Sequence, residues 1–128
     1  MVYGSLRRGF RNHRLLEDSI YIGDGITEGL YTMLNLGGFP GIIRSGNTPI
    51  FGELYDVDDD ILHSLDRLEG HPTFYERRQI LVKRFYMDGR IEDANPPWED
   101  VAAYILPSAW NDGRCAVVKS GDWRQRDN

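Results

Sequence analysis

The residue with the strongest chemical signal in this 128-residue chain is a carboxylate on an apolar helix face. Residues 58–69 (DDDILHSLDRLE) carry apolar side chains at helical spacing. At about 100° per residue with Ile61 at zero, Leu68 falls at about −20°, Leu65 at about 40° and Leu62 at about 100°. Glu69 falls at about 80°, inside that arc, with Asp66 at its edge and His63 and Arg67 facing away. Burying a carboxylate costs several kcal/mol unless it is paired or protonated. Glu69 also sits at the helix C-terminus, where the macrodipole disfavours negative charge. Both effects raise a carboxyl pKa, the tuning that a general acid or base needs near neutral pH. Two plainer readings stay open: a boundary side chain that snorkels to water, or one paired with Arg77.

Tyr3-Gly4-Ser5-Leu6 is the second candidate. A strand ending in Gly-Ser can present successive backbone N–H groups in a nest that holds an anion. The segment lacks the spacing of a phosphate loop or a dinucleotide fingerprint, and a simple strand-to-turn junction explains it equally well. Arg7, Arg8, Arg11 and Arg14 follow it. They could draw anions to the loop, although a solvated surface is the expected role for most of them. His13, His63, His71 and Cys115 have no metal-ligand spacing, so no metal is expected. No GxSxG nucleophile elbow occurs. Phe39, Phe74, Tyr75, Tyr104 and Trp98 read mainly as core side chains. Those on loops near Gly41 or Gly70 could instead line a pocket.

The elements that must position these groups are short. Residues 1–3 read as the end of a strand and residues 11–18 as a short helix or turn. Residues 20–36 are strand-like and broken by glycines. Residues 37–41 (GGFPG) form a loop, Ile42-Ile43 starts a strand, Gly46-Asn47 marks a turn, and residues 50–57 form a core strand. The helix over 58–69 starts at Asp58 as N-cap, with Asp59 and Asp60 in its first turn. Gly70 and Pro72 end it. Residues 77–86 read as a strand, Asp88-Gly89 as a hairpin turn, 92–100 as a polar loop and 101–106 as the last strand. The fold class expected is α+β, with a small, mostly antiparallel sheet or barrel. Residues 1–110 form the domain, and residues 111–128 a loosely held tail of no assigned role.

Composition narrows the function. The net charge is −5, from 15 Lys and Arg against 20 Asp and Glu. That argues against a nucleic-acid or membrane-surface binder. One cysteine rules out an internal disulfide framework. The longest apolar run is Val101–Leu106, too short for a transmembrane helix. The expected location is a reducing cytoplasm.

In combination, four segments resemble the γ-glutamylcyclotransferase-like family, especially its small bacterial and γ-glutamylamine-cyclotransferase-like branch. They are YGSLRRG (Tyr3–Gly9), extended by Asn12-His13, then GGFPGI (Gly37–Ile42), GELYDVDDDILHSLDRLEGHPTFYERR (Gly52–Arg78) and AYIL (Ala103–Leu106). The resemblance spans residues 1 to 106. It implies a small mixed β-barrel with flanking helices and cofactor-free release of 5-oxoproline from a γ-glutamyl peptide or amine. By the same resemblance Glu69 is the catalytic carboxylate, and the amides of Tyr3, Gly4, Ser5 and Leu6 hold the glutamyl group. Tyr75 lies near the pocket, with Phe39 and Tyr104 as further lining residues. The implied partner is a small γ-glutamyl substrate, with no nucleic acid or membrane; the oligomeric state is open. A non-catalytic module on the same fold, binding a γ-glutamyl or other carboxylated metabolite, is the alternative. One departure stands out: family members usually have a longer first strand, whereas only Met1 and Val2 precede Tyr3 here.

Overall fold

The computed structural model describes residues 1–85 and 96–127. The strands are β1 (Ile20–Thr27), β2 (Tyr31–Asn35), β3 (Pro40–Thr48), β4 (Phe51–Asp56), β5 (Glu76–Phe85), β6 (Glu99–Ile105) and β7 (Ala116–Val117). Among the described residues there is one α-helix, α1 (Asp59–Glu69), between β4 and β5. Short 3-10 turns cover His13–Leu16, Ser108–Trp110 and Trp123–Gln125. Asp88-Gly89 and residues 92–95 lie outside the described residues.

The strands form two antiparallel sheets, ordered β4-β1-β5-β6 and β3-β2-β7. The Leu106 N–H donates to the Ile42 carbonyl at 2.9 Å just beyond β6, stitching the sheets together. The result is a curled half-barrel with one helix against it. The α+β class stands, and among the described residues only α1 of the flanking helices is more than a 3-10 turn. Met33, Ile42, Ile50, Leu54 and Val82 fill the core between the sheets. Val2, Leu6, Leu34, Ile43, Leu65, Tyr75 and Tyr104 form a second apolar cluster.

Residues 46–47 differ from expectation: β3 runs straight through them. The irregularity is a register break instead, because Tyr31 pairs with Thr48 while the next residue, Thr32, pairs with Ile43. The polar loop expected over 92–100 also ends early, since β6 begins at Glu99. Residues 1–3 contribute only a bridge between Val2 and Glu53, bonded in both directions at 2.8 and 2.9 Å.

The segment after residue 110 is no loose tail. β7 pairs with β2, and the Val118 N–H donates to the Met33 carbonyl at 2.8 Å. Val118 and Trp123 are buried in the main core. Its few apolar residues fill gaps instead of forming a periodic face, so the pattern gives no sign of them. Among the described residues, no helix is long and apolar enough to cross a membrane.

Candidate active site

α1 ends at the candidate carboxylate, Glu69. The Asp58 carboxylate accepts the Ile61 N–H at 2.8 Å and fixes the helix start. Gly70 takes φ 66°, the left-handed conformation that glycine adopts without penalty, and stops the helix directly after Glu69. The chain then coils tightly: the Phe74 N–H reaches the Gly70 carbonyl at 2.8 Å, and the Tyr75 N–H reaches that of Glu69 at 3.3 Å. This coil places Tyr75 beside Glu69.

Leu65 is the one helix residue that is fully buried. Leu68, expected on the core face, is 42% exposed. The last turn of α1 overhangs a cleft, and Leu68 lines it instead of packing under it.

That cleft, of about 200 Å³, is lined by Tyr3, Gly4, Ser5, Leu6, Phe39, Glu69, Tyr75 and Tyr104, with Arg11, Asn12, Pro40 and Leu68 alongside. Glu69 and the residues that the family resemblance groups with it therefore meet in one cavity, although they span a hundred positions; Phe74, Arg7, Arg8 and Arg14 do not line it.

Glu69 is partly buried, and no described residue hydrogen-bonds its carboxylate. Burial pushes its pKa up to about 7. The expected competitor, Arg77, is engaged elsewhere: its guanidinium donates to Asp66 at 3.1 and 3.3 Å. Asp66 also accepts the Tyr104 hydroxyl at 2.6 Å. Asp66 thus holds a cation that could otherwise neutralise Glu69 and a phenol that could otherwise donate to it.

The other two phenols are committed as well. The Tyr3 hydroxyl donates to the Tyr104 carbonyl at 2.6 Å, and that of Tyr75 to the Pro40 carbonyl at 2.6 Å. Burial raises the pKa of Tyr3, Tyr75 and Tyr104, and the nearby Glu69 charge adds to the rise in each. These groups remain neutral walls, leaving Glu69 as the titratable carboxylate of the cleft.

The Gly4–Leu6 loop is tied down through its carbonyls and side chains. The Arg7 N–H donates to the Gly4 carbonyl at 3.0 Å, and the Asn12 amide donates to the Ser5 hydroxyl at 2.9 Å. His13 Nδ1 lies 2.9 Å from the Leu6 carbonyl. The N–H groups of Gly4, Ser5 and Leu6 donate to no described residue. Three unpaired donors lining a cleft form an anion-binding arrangement. At Gly4 a Cβ would lie 2.7 and 2.8 Å from two Pro40 ring carbons, so glycine permits the close approach of loop and β3.

Sequence reasoning missed what anchors this loop. Glu53 is 1% exposed and Arg7 6% exposed. Arg7 Nε donates to Glu53 at 3.3 Å, and Arg7 Nη1 to Asp122 at 2.7 Å. Glu53 also accepts the Arg8 N–H at 3.0 Å, the Tyr55 hydroxyl at 2.8 Å and Arg124 Nη2 at 3.3 Å. Burial alone would raise the Glu53 pKa, but these donors and the Arg7 charge hold it below the usual carboxylate range. Arg7 is therefore an internal strut and not part of a solvated surface. The only signal in the sequence was an acidic residue in the middle of a core strand. Among the described residues, no group of His, Cys, Asp and Glu side chains could hold a metal ion.

Comparison with known proteins places this geometry. The profile of the family described as gamma-glutamyl cyclotransferase, AIG2-like, matches residues 1–125. A Vibrio cholerae protein provisionally named a gamma-glutamylcyclotransferase is 33% identical over 125 residues, 98% of this chain and 94% of its own. The gamma-glutamylaminecyclotransferase of Rattus norvegicus is 29% identical over 118 residues, 84% of this chain and 76% of its own. A crystal structure of a mouse AIG2-like protein superposes with a TM-score of 0.64 at 25% identity, covering 84% of this chain and 74% of that one. An Escherichia coli protein specific to uropathogenic strains shares the fold, with a TM-score of 0.72 at 19% identity over 98% of this chain and 91% of that one. With a profile match over nearly its whole length and a relative at this level of identity, the chain belongs to the AIG2-like gamma-glutamyl cyclotransferase family of enzymes.

Proposed function

We propose that this protein is a γ-glutamylcyclotransferase that releases 5-oxoproline from a γ-glutamyl compound, with Glu69 as general base and acid. The observation that carries this reading is an unpaired carboxylate, pushed up to about 7 by burial, in one cleft with the free amides of Gly4, Ser5 and Leu6.

The substrate's own α-amine attacks its γ-carbonyl. The new C–N bond closes a five-membered lactam, and the γ-amide C–N bond breaks. A protonated α-amine has no lone pair to attack with, so Glu69 as carboxylate removes a proton from it. The same group then delivers that proton to the departing amine, and the carboxylate is restored; a second proton, shed by the attacking nitrogen as it becomes the lactam N–H, follows to the amine, which leaves as an ammonium. A pKa near 7 suits both directions of transfer, and such help is typically worth about 10²–10⁴-fold. The N–H groups of Gly4–Leu6 hold the substrate α-carboxylate or the oxyanion that develops at the γ-carbon. Tyr3, Tyr75, Tyr104 and Phe39 shape the walls that fold the glutamyl chain. Because the reaction is intramolecular, orientation can supply roughly 7–11 kcal/mol of the acceleration.

The test is to incubate the protein with a panel of γ-glutamyl compounds and measure 5-oxoproline. The wild type produces it, and Glu69→Gln loses at least about 10²-fold in kcat with its fold intact. Activity that survives in Glu69→Gln overturns the assigned role. Stabilisation of the protein by 5-oxoproline without turnover of any γ-glutamyl compound would point to a binding module instead.

A further inference from the structure

Two acidic residues share the last turns of α1. Asp66 and Glu69 stand three positions apart, which puts them on one surface of the helix with Cβ atoms about 5–6 Å apart. Their surroundings are opposite. Asp66 collects donors: Arg77 Nη1 reaches its two carboxylate oxygens at 3.3 and 3.1 Å, and the Tyr104 hydroxyl reaches Oδ1 at 2.6 Å. Glu69 collects none from the described residues.

This division is built from several directions. The Asp66 carbonyl accepts the His71 N–H at 2.9 Å, and His71 Nδ1 accepts the Arg77 N–H at 2.9 Å. The turn after α1 thereby sets the start of β5 beside Asp66. Arg77 lies outside the Glu69 cleft. It lines a separate apolar cavity of about 220 Å³, and Tyr104 lies in the wall common to the two. The Tyr104 phenol feels the Arg77 and Glu69 charges with opposite sign, so it stands within electrostatic reach of both. The Tyr104 carbonyl in turn accepts the Tyr3 hydroxyl at 2.6 Å, which ties this wall to the amide loop.

Besides Asp66 on its own helix, Glu69 faces Tyr3 and Arg11 from the N-terminal segment, Tyr75 from the coil after α1 and Tyr104 from β6. Arg11 and Arg67 are exposed, where water and salt screen their charge. The Met1 amino group donates to the Ala102 carbonyl at 2.6 Å, and burial lowers its pKa to about 5, so it is uncharged near neutral pH. Arg77, half-buried, is the cation that has to be held.

On the reading that Glu69 is the general base, we infer that Asp66 is its positioning residue: by keeping Arg77 and Tyr104 to itself, Asp66 leaves the Glu69 carboxylate without a donor and free to take the proton of the substrate amine. Asp66 itself touches no substrate. A carboxylate bound by a guanidinium is a weaker base, so losing Asp66 costs Glu69 its basicity.

The experiment follows kcat/KM for 5-oxoproline release against pH, with whichever γ-glutamyl compound the wild type turns over best. Its acid limb reports the carboxylate of the free enzyme. In the wild type that limb lies at about 7. Asp66→Asn keeps the shape of the side chain and an acceptor for Tyr104 but cannot hold the cation, and the limb moves down by about 1–3 pH units as Arg77 turns to Glu69. Arg77→Met leaves Asp66 charged and unpaired beside Glu69, and the limb moves up. The double variant, with neither charge, returns the limb close to its wild-type position. A purely structural role would lower the plateau in all three and leave the limb where it is. A limb that stays in place in both single variants overturns the Asp66 assignment alone, as does one that stays displaced in the double variant. Should Asp66→Asn not fold, Arg77→Met decides. No acid limb between about pH 5 and 8, or no turnover of any γ-glutamyl compound, overturns the Glu69 reading beneath it.

Discussion

Replacing Glu69 by glutamine should stabilise the protein at alkaline pH while removing its activity. Burial raises the Glu69 carboxyl from 4.5 to about 7. At about 1.4 kcal/mol per pH unit, that displacement corresponds to about 3 kcal/mol, reduced to about 2–3 kcal/mol by the open side of the cleft. The sign follows from proton linkage. Between about pH 4.5 and 7 the folded state holds a proton on Glu69 that the unfolded state has released, so stability falls as pH rises through this window. Below it the carboxyl is neutral in both states and costs nothing; above it the folded protein carries the whole penalty. Glutamine has the shape of the protonated acid and no charge to bury. Wild type and Glu69→Gln should therefore melt together at about pH 4 and separate to about 10 °C by about pH 8.5, the variant melting higher. Thermal denaturation across that range measures the difference, in which the titrations of all other groups cancel. A gap that does not vary with pH, or a wild type that is the more stable protein at alkaline pH, would refute the claim that Glu69 is buried without a partner.

Three further outcomes test the surroundings. Gly4→Ala places a Cβ 2.7 Å from the Pro40 ring and should lower kcat/KM by about 10²-fold, because small displacements of binding groups cost rate steeply. An unchanged value would mean that the loop has slack. Arg7→Met leaves Glu53 buried without the more deeply buried of its two nearest cations and should cost about 3–5 kcal/mol in urea denaturation. A loss below about 1 kcal/mol would show that Arg8, Tyr55 and Arg124 suffice without it. Trp123→Ala should cost about 3–5 kcal/mol in the same assay, whereas a loosely held tail would register less than about 0.5 kcal/mol.

The legible parts of this molecule are those governed by short-range rules. Asp58 and Gly70 mark the ends of α1 because capping depends on residues a few positions apart. The wheel placed Glu69 on an apolar face for the same reason. The wheel misplaced Leu68, since a helical arc says which residues share a face but not how far along the helix the neighbouring sheet extends. Arg7 and Glu53 were illegible as a pair. They lie 46 positions apart, and nothing local distinguishes buried Arg7 from half-buried Arg8 or from exposed Arg11 and Arg14. Trp123 was missed because one aromatic filling a gap leaves no period to detect. The meeting of the site candidates in one cavity came from the family resemblance, as chemistry alone left Tyr104 as a core residue and Phe39 as either core or pocket lining.

The salt bridge from Arg7 to Asp122 spans 115 positions of sequence. Asp122 and Arg124 brace the Gly4–Leu6 loop through Arg7 and Glu53, so a growing chain holds this loop unbraced until 115 further residues have followed Arg7. The pocket wall is therefore closed by contacts of long sequence separation, which form slowly. A chain cut short before Asp122 carries the loop without its brace.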